Sequence, residues 1–69
     1  MSQIRITLNG QVRPVNAETS LLAVLESLDL DPRLVVVEHN RRIVRRPDFE
    51  ATSLSDGDAI EVVHFVGGG

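Results

Sequence analysis

The sequence predicts a two-layer α+β domain, with one helix laid across a mixed β-sheet. Three observations point there. Ile4, Ile6 and Leu8 alternate with Gln3, Arg5 and Thr7 and run into Asn9-Gly10, so the chain opens with a half-buried strand and a hairpin turn. Leu21, Leu22, Leu25 and Leu28 then recur at helical spacing and make one apolar face. Residues 34–37 and 59–66 are apolar runs of strand length, rich in β-branched side chains.

Each element has its own local reason. Asn9-Gly10 suits a type I′ turn, which needs positive φ at both central residues. Residues 11–15 form the returning strand, and Pro14, which lacks a ladder N–H, assigns it to a sheet edge or to its own end. Thr19 or Ser20 supplies the N-cap oxygen for a helix of about three turns. Asp31-Pro32 is expected to stop that helix, because a residue before proline avoids the α region.

The Leu34-Val35-Val36-Val37 run is expected to be a central strand covered on both faces. His39-Asn40 makes the next turn, Arg41 to Val44 returns, and Ile43 and Val44 tie that segment to the core. Pro47-Asp48-Phe49-Glu50 is a short helical turn with Phe49 as its buried anchor, and Asp56-Gly57-Asp58 is a tight turn feeding the last strand. The order is β-β-α-β-β with a last strand ahead of the chain end. A crossover through the helix lets the first and last strands pair in parallel, an arrangement that suits a β-grasp, the ubiquitin-like roll. The expected division is a domain over residues 1–66 and a flexible glycine tail over residues 67–69.

Composition narrows the functions available. A chain of 69 residues makes one domain. With no cysteine there is no disulfide, no thiol chemistry and no Cys-based metal site. A formal net charge of −3 and only two aromatic residues, Phe49 and Phe65, argue against nucleic acid, which needs a positive surface and stacking platforms. The alternating start lacks the apolar core of a signal peptide, and no apolar run approaches the ~20 residues of a membrane span. The expectation is a soluble, cytoplasmic protein with no membrane partner.

Chemistry concentrates at the end of the chain. After Phe65-Val66 come Gly67-Gly68-Gly69, and glycines there have no packing role, since they bury no side chain and lose the most freedom on ordering. What such a tail offers is a slim carboxylate that a narrow channel in another protein can enclose; three extended residues reach about 10 Å. A terminal carboxylate is an anion at neutral pH and a poor electrophile. Conversion to an acyl-adenylate with ATP provides a leaving group that a sulfur or amine nucleophile can displace.

The other candidates carry less. His39 and His64 show no metal-ligand spacing, so no metal is expected. Arg41, Arg42, Arg45 and Arg46 place four of the seven basic residues in one segment, which fits charges guarding a sheet edge better than it fits a nucleotide site. The acidic residues Asp48, Glu50, Asp56, Asp58 and Glu61 serve turns and could also steer docking to a basic cleft. No nucleophile triad or phosphate loop can be drawn.

Taken together, the Asn9-Gly10 hairpin, the Leu21-Leu22 helix, the Val35-Val36-Val37 strand, Asn40-Arg41-Arg42-Ile43-Val44, the Asp56-Gly57-Asp58 turn and the ending Phe65-Val66-Gly67-Gly68-Gly69 resemble the ThiS family over essentially the whole chain. That family comprises the small sulfur carriers of thiamine biosynthesis. The resemblance implies a β-grasp fold and a cycle centred on Gly69. In it an adenylyltransferase related to ubiquitin E1 enzymes activates the carboxylate with ATP and magnesium. A sulfur relay from a cysteine desulfurase makes the thiocarboxylate, and thiazole synthase takes the sulfur. Gly68, with the additional Gly67, threads the partner active sites, while Val66 and Phe65 belong to the docking surface. On this reading the chain is a protein co-substrate and not an enzyme, and it binds no cofactor of its own. The small subunit of molybdopterin synthase, carriers of other pathways and a ubiquitin-like protein modifier are the alternatives.

Overall fold

The computed structural model describes residues 2–65. These residues fold into a five-stranded mixed sheet crossed on one face by a single α-helix. The strands are β1 (Gln3–Leu8), β2 (Gln11–Asn16), β3 (Val35–His39), β4 (Arg42–Val44) and β5 (Ala59–His64), and the helix is α1 (Leu21–Ser27). Their spatial order is β2-β1-β5-β3-β4. β1 and β2 form an antiparallel hairpin, as do β3 and β4, and β5 enters between them. It runs parallel to β1 (Thr7 beside Ala59, Leu8 beside Ile60) and antiparallel to β3. The β-grasp expectation and the parallel pairing of first and last strands therefore hold.

Alternation along the strands decides which side chains meet the helix. Ile6, Leu8, Val37 and Ile60 point to the helix side and are buried with Leu21, Val24 and Leu25 of α1. Phe49, 2% exposed, and Leu54, 3% exposed, close the core from the segment after β4. Phe49 follows a 3₁₀ turn over Arg46–Asp48, in agreement with the expected anchor. Leu54 is fixed because Leu21 N–H donates to Thr52 O and Leu54 N–H donates to Thr19 O, which ties the 49–54 segment to the helix start.

Several local expectations are corrected. The helix is seven residues long, two turns and not three. Ser20 is its N-cap, with Oγ accepting from Ala23 N–H at 3.1 Å. The helix ends before Pro32 is reached, through Asp29 in the left-handed region at φ 59°. Asp29 N–H donates to Glu26 O and Leu30 N–H donates to Leu25 O, the bond pair of a Schellman motif with aspartate in the place usually held by glycine. Pro32 instead opens a 3₁₀ turn, Pro32–Leu34, capped by Asp31, whose Oδ1 accepts from Arg33 N–H.

The valine run is corrected too. The central strand is β5, and β3 stands one place from the edge with only Val37 of its residues buried. One helix covers one face, so Val36, which alternates away from it, stays on the uncovered side. β4 is an edge strand, as its arginines suggested, and β2 with Pro14 is the other edge. Ile43, however, is 62% exposed and does not tie β4 to the core; Val44, packed partly against it, does. Among the described residues, no helix is long and apolar enough to cross a membrane.

Candidate functional site

β5 leads the chain out of the sheet, and two devices hold it on either side as it goes. On the β1 side the parallel ladder ends at Leu8, because the chain must turn at Asn9-Gly10. Both turn residues have positive φ, 49° and 84°, as the hairpin requires. The Asn9 side chain then substitutes for the missing strand. Its Oδ1 accepts from Val62 N–H at 2.7 Å, and its Nδ2 donates to Val62 O at 3.2 Å. On the β3 side Phe65 N–H donates to Leu34 O at 2.8 Å, so the antiparallel pairing continues one residue past the strand.

The start of β5 is held by a polar cluster. Asp58 is 8% exposed and is the one buried charged residue among those described. His39 Nε2 lies 2.7 Å from its Oδ2, Asn40 Nδ2 donates to its Oδ1 at 3.0 Å, and Ser55 N–H donates to Oδ2 at 2.8 Å. Asn40 Oδ1 in turn accepts from Ala59 N–H. Burial alone would push the Asp58 carboxyl up, but the bonds from His39, Asn40 and Ser55 outweigh it and hold the group below its ordinary value. Beside it, Gly57 at φ 87° makes the turn, and Asp56 Oδ1 accepts from Arg5 N–H. The cluster is a latch between the β3–β4 turn and the entry to β5.

The residues proposed from sequence divide accordingly. Phe65 is 54% exposed at the end of β5, with Leu34, 44% exposed, in the turn that accepts its backbone bond. Val66, Gly67, Gly68 and Gly69, with the boundary between residues 66 and 67, lie outside the described residues. His64 is on β5 and exposed, while His39 ends β3 inside the latch, so β-sheet geometry does not bring the two histidines into one site. Among the described residues there is no cluster of three His, Asp or Glu able to hold a metal ion.

Two features escaped sequence reading. The Asn9 bridge carries no signal beyond the turn dipeptide, since nothing local indicates which strand stands alongside. The His39-Asn40 and Asp58 partnership is separated by 18–19 residues. A polar pair at one turn and an aspartate at another were its only trace.

Comparison with known proteins agrees with this geometry. The model of the ThiS family matches residues 6–69. A thiazole synthase of Magnetococcus marinus is 42% identical over 66 residues, which are 96% of this chain and 20% of that protein. The chain thus spans about a fifth of the length of that relative, and likewise of a second thiazole synthase, from Paramagnetospirillum magneticum. The sulfur carrier protein ThiS of Bacillus subtilis is 37% identical over 93% of this chain and 98% of its own length. The crystal structure of a thiamine biosynthesis protein (ThiS) from Geobacter metallireducens superposes with a TM-score of 0.80 at 33% identity, covering 96% of this chain and all of that one. A β-grasp sheet that delivers its central strand to an exposed phenylalanine, matched from residue 6 to residue 69, places the chain in the ThiS family.

Proposed function

We propose that the chain is a sulfur carrier of thiamine biosynthesis, a co-substrate whose working atom is the carboxyl carbon of Gly69. The observation that carries this reading is the nearly end-to-end likeness to the Bacillus subtilis carrier, 98% of which is covered. On this reading the folded body takes no part in bond making. Its contribution is to hold β5 rigidly on both sides and to present the chain end beyond it.

In this reading an E1-like adenylyltransferase receives the tail, and a carboxylate oxygen of Gly69 attacks the α-phosphorus of ATP, releasing pyrophosphate. ATP and magnesium are held by that enzyme. A persulfide from a relay that begins at a cysteine desulfurase displaces AMP to give an acyl disulfide, and a thiol then cleaves that S–S bond, forming a disulfide with the relay sulfur and releasing the carrier as a thiocarboxylate. Thiazole synthase is the acceptor, a choice supported by the two thiazole synthases that contain a segment like this chain. Gly68 and Gly67 thread both active sites because no Cβ widens the backbone, and the cycle runs in the cytoplasm.

Intact-mass measurement tests this directly. The purified chain is incubated with its activating enzyme, ATP, a cysteine desulfurase and cysteine. Exchange of one oxygen for sulfur is the expected result, with loss of that sulfur when thiazole synthase and its substrates are added. Attachment of the chain to amines of other proteins identifies a modifier instead, and an unchanged mass rejects both.

A further inference from the structure

Asn9 and Gly10 combine a reactive dipeptide with a restraint upon it. Where glycine follows asparagine, the backbone nitrogen closes readily on the preceding side-chain amide, because no Cβ screens that nitrogen. Both residues are exposed at the tip of the hairpin. A Cβ at Gly10 would meet no atom within 4 Å, so the approach to its nitrogen is open. Among the described residues the Gly10 N–H donates no hydrogen bond. Against this stands the engagement of the Asn9 side chain. Its Oδ1 accepts from Val62 N–H at 2.7 Å and its Nδ2 donates to Val62 O at 3.2 Å. Two bonds to one residue fix the plane of the amide and aim it across at β5. Attack on Cγ makes that carbon tetrahedral and expels Nδ2, a change that this clamp does not survive.

We infer that Asn9 is a site of spontaneous deamidation whose rate is set by opening of the Val62 clamp. In the open state the Gly10 nitrogen attacks Asn9 Cγ. The N–Cγ bond forms, the Cγ–Nδ2 bond breaks, and ammonia leaves with the proton that the Gly10 nitrogen gives up. The ring so formed is a succinimide, which water opens on either side. Cleavage of the new N–Cγ bond leaves aspartate at position 9. Cleavage of the original peptide bond leaves isoaspartate, with the backbone rerouted through Cβ and Cγ. Overall one water is consumed, one ammonia is released, nothing is oxidised, and the chain adds one negative charge to its net −3. Either product damages the clamp that restrained the reaction. Aspartate keeps an oxygen for the Val62 N–H but sets its other oxygen against Val62 O, where the Nδ2 donor stood at 3.2 Å. Isoaspartate carries its carboxylate directly on Cα and adds a backbone atom to a turn built for two residues, so both bonds are lost. The lesion is irreversible and falls on the strand that leads out of the sheet. It follows from the Asn9 geometry and is independent of the carrier reading.

The test is ageing of the purified full chain in mildly alkaline buffer, folded and in unfolding guanidinium chloride, followed by ammonia release and peptide mass mapping. Asn16 and Asn40, which precede Ala17 and Arg41, serve as internal references. In denaturant the expected result is conversion at Asn9 ahead of both. In the folded chain Asn9 should convert about tenfold more slowly, the factor that two net hydrogen bonds supply. Denaturant short of unfolding should raise that rate in parallel with amide exchange at Val62, because the same opening limits both. Exchange at Val62 should also quicken from parent to Asn9→Asp to the isolated isoaspartate form, as one bond and then both are removed. Conversion at Asn9 that is as fast folded as unfolded, or faster, overturns the restraint by the clamp. An Asn9 that stays intact in denaturant overturns the site itself. Unaltered exchange at Val62 in the isoaspartate form overturns the proposed damage to the exit strand.

Discussion

Asp58 is the residue on which the entry to β5 turns. Three donors converge on its carboxylate, and removing it leaves the His39 ring, the Asn40 amide and the Ser55 N–H without their acceptor. Hydrogen bonds to a charged group contribute about 1.5–3 kcal/mol, so Asp58→Asn is expected to lower unfolding free energy by about 2 kcal/mol near neutral pH. The sign of the pH dependence comes from the depressed pKa. A carboxyl that titrates lower when folded than when unfolded contributes stability that is complete above its ordinary 3.8 and is lost as pH falls through the folded value. Urea unfolding of parent and variant at pH 6 and at pH 3 should therefore show a gap that narrows in acid; an equal gap at both pH values means the charge is not what matters. Asn9 makes a second case. Asn9→Gly keeps the positive φ but deletes both bonds to Val62, and should cost about 1 kcal/mol while speeding amide exchange at Val62. If exchange at Val62 is unaltered, β1 and β3 alone hold the strand.

At the scale of elements, two chain reversals use residues that the conformation disfavours. Arg41 lies at φ 72° in the β3–β4 turn, after Asn40 at 51°, and Asp29 lies at 59° behind α1. Side chains in the left-handed region cost roughly 1–2 kcal/mol, and glycine avoids most of that. Arg41→Gly should consequently raise the thermal midpoint, and a lower midpoint would mean that the Arg41 side chain makes contacts worth more than the strain. These two positions also mark the limit of sequence reading. The hairpin at Asn9-Gly10, the helix cap near Ser20, the Phe49 anchor and the Gly57 turn were legible, because glycine, proline and capping oxygens act within a few residues of themselves. The end of α1 was not, since the signal at Pro32 was strong while Asp29, which ends it, is an ordinary residue bent by the Leu25–Leu30 bond and by the half-buried Leu30 beneath it. The valine run misled for a related reason. Four apolar residues in a row satisfy a doubly covered strand, yet the described residues have one α-helix to cover one face, and Val36 shares the other face of β3 with Glu38. Of the candidate site, the Asn9 bridge and the Asp58 latch were not legible, because they depend on pairings across the sheet.

Across the whole molecule, the folding unit and the proposed reactive end are separate in sequence. Among the described residues, every buried core residue lies between Ile6 and Ile60, and the last backbone bond tying the exit strand to the sheet is made by Phe65. Stability and carrier chemistry should then respond to different substitutions. Gly68→Val adds side-chain bulk well past Ile60, the last residue of that core. Its thermal midpoint is expected to match that of the parent chain. In the proposed cycle, however, that position must pass through a channel closed around bare backbone, where a Cβ and two methyl groups clash. The variant should fold normally and fail in ATP–pyrophosphate exchange, by a loss in kcat that added carrier does not recover. A Gly68→Val chain that is activated at the parent rate would show that the enzyme reads the folded body and tolerates the tail, and the narrow-channel account of the three glycines would have to be abandoned.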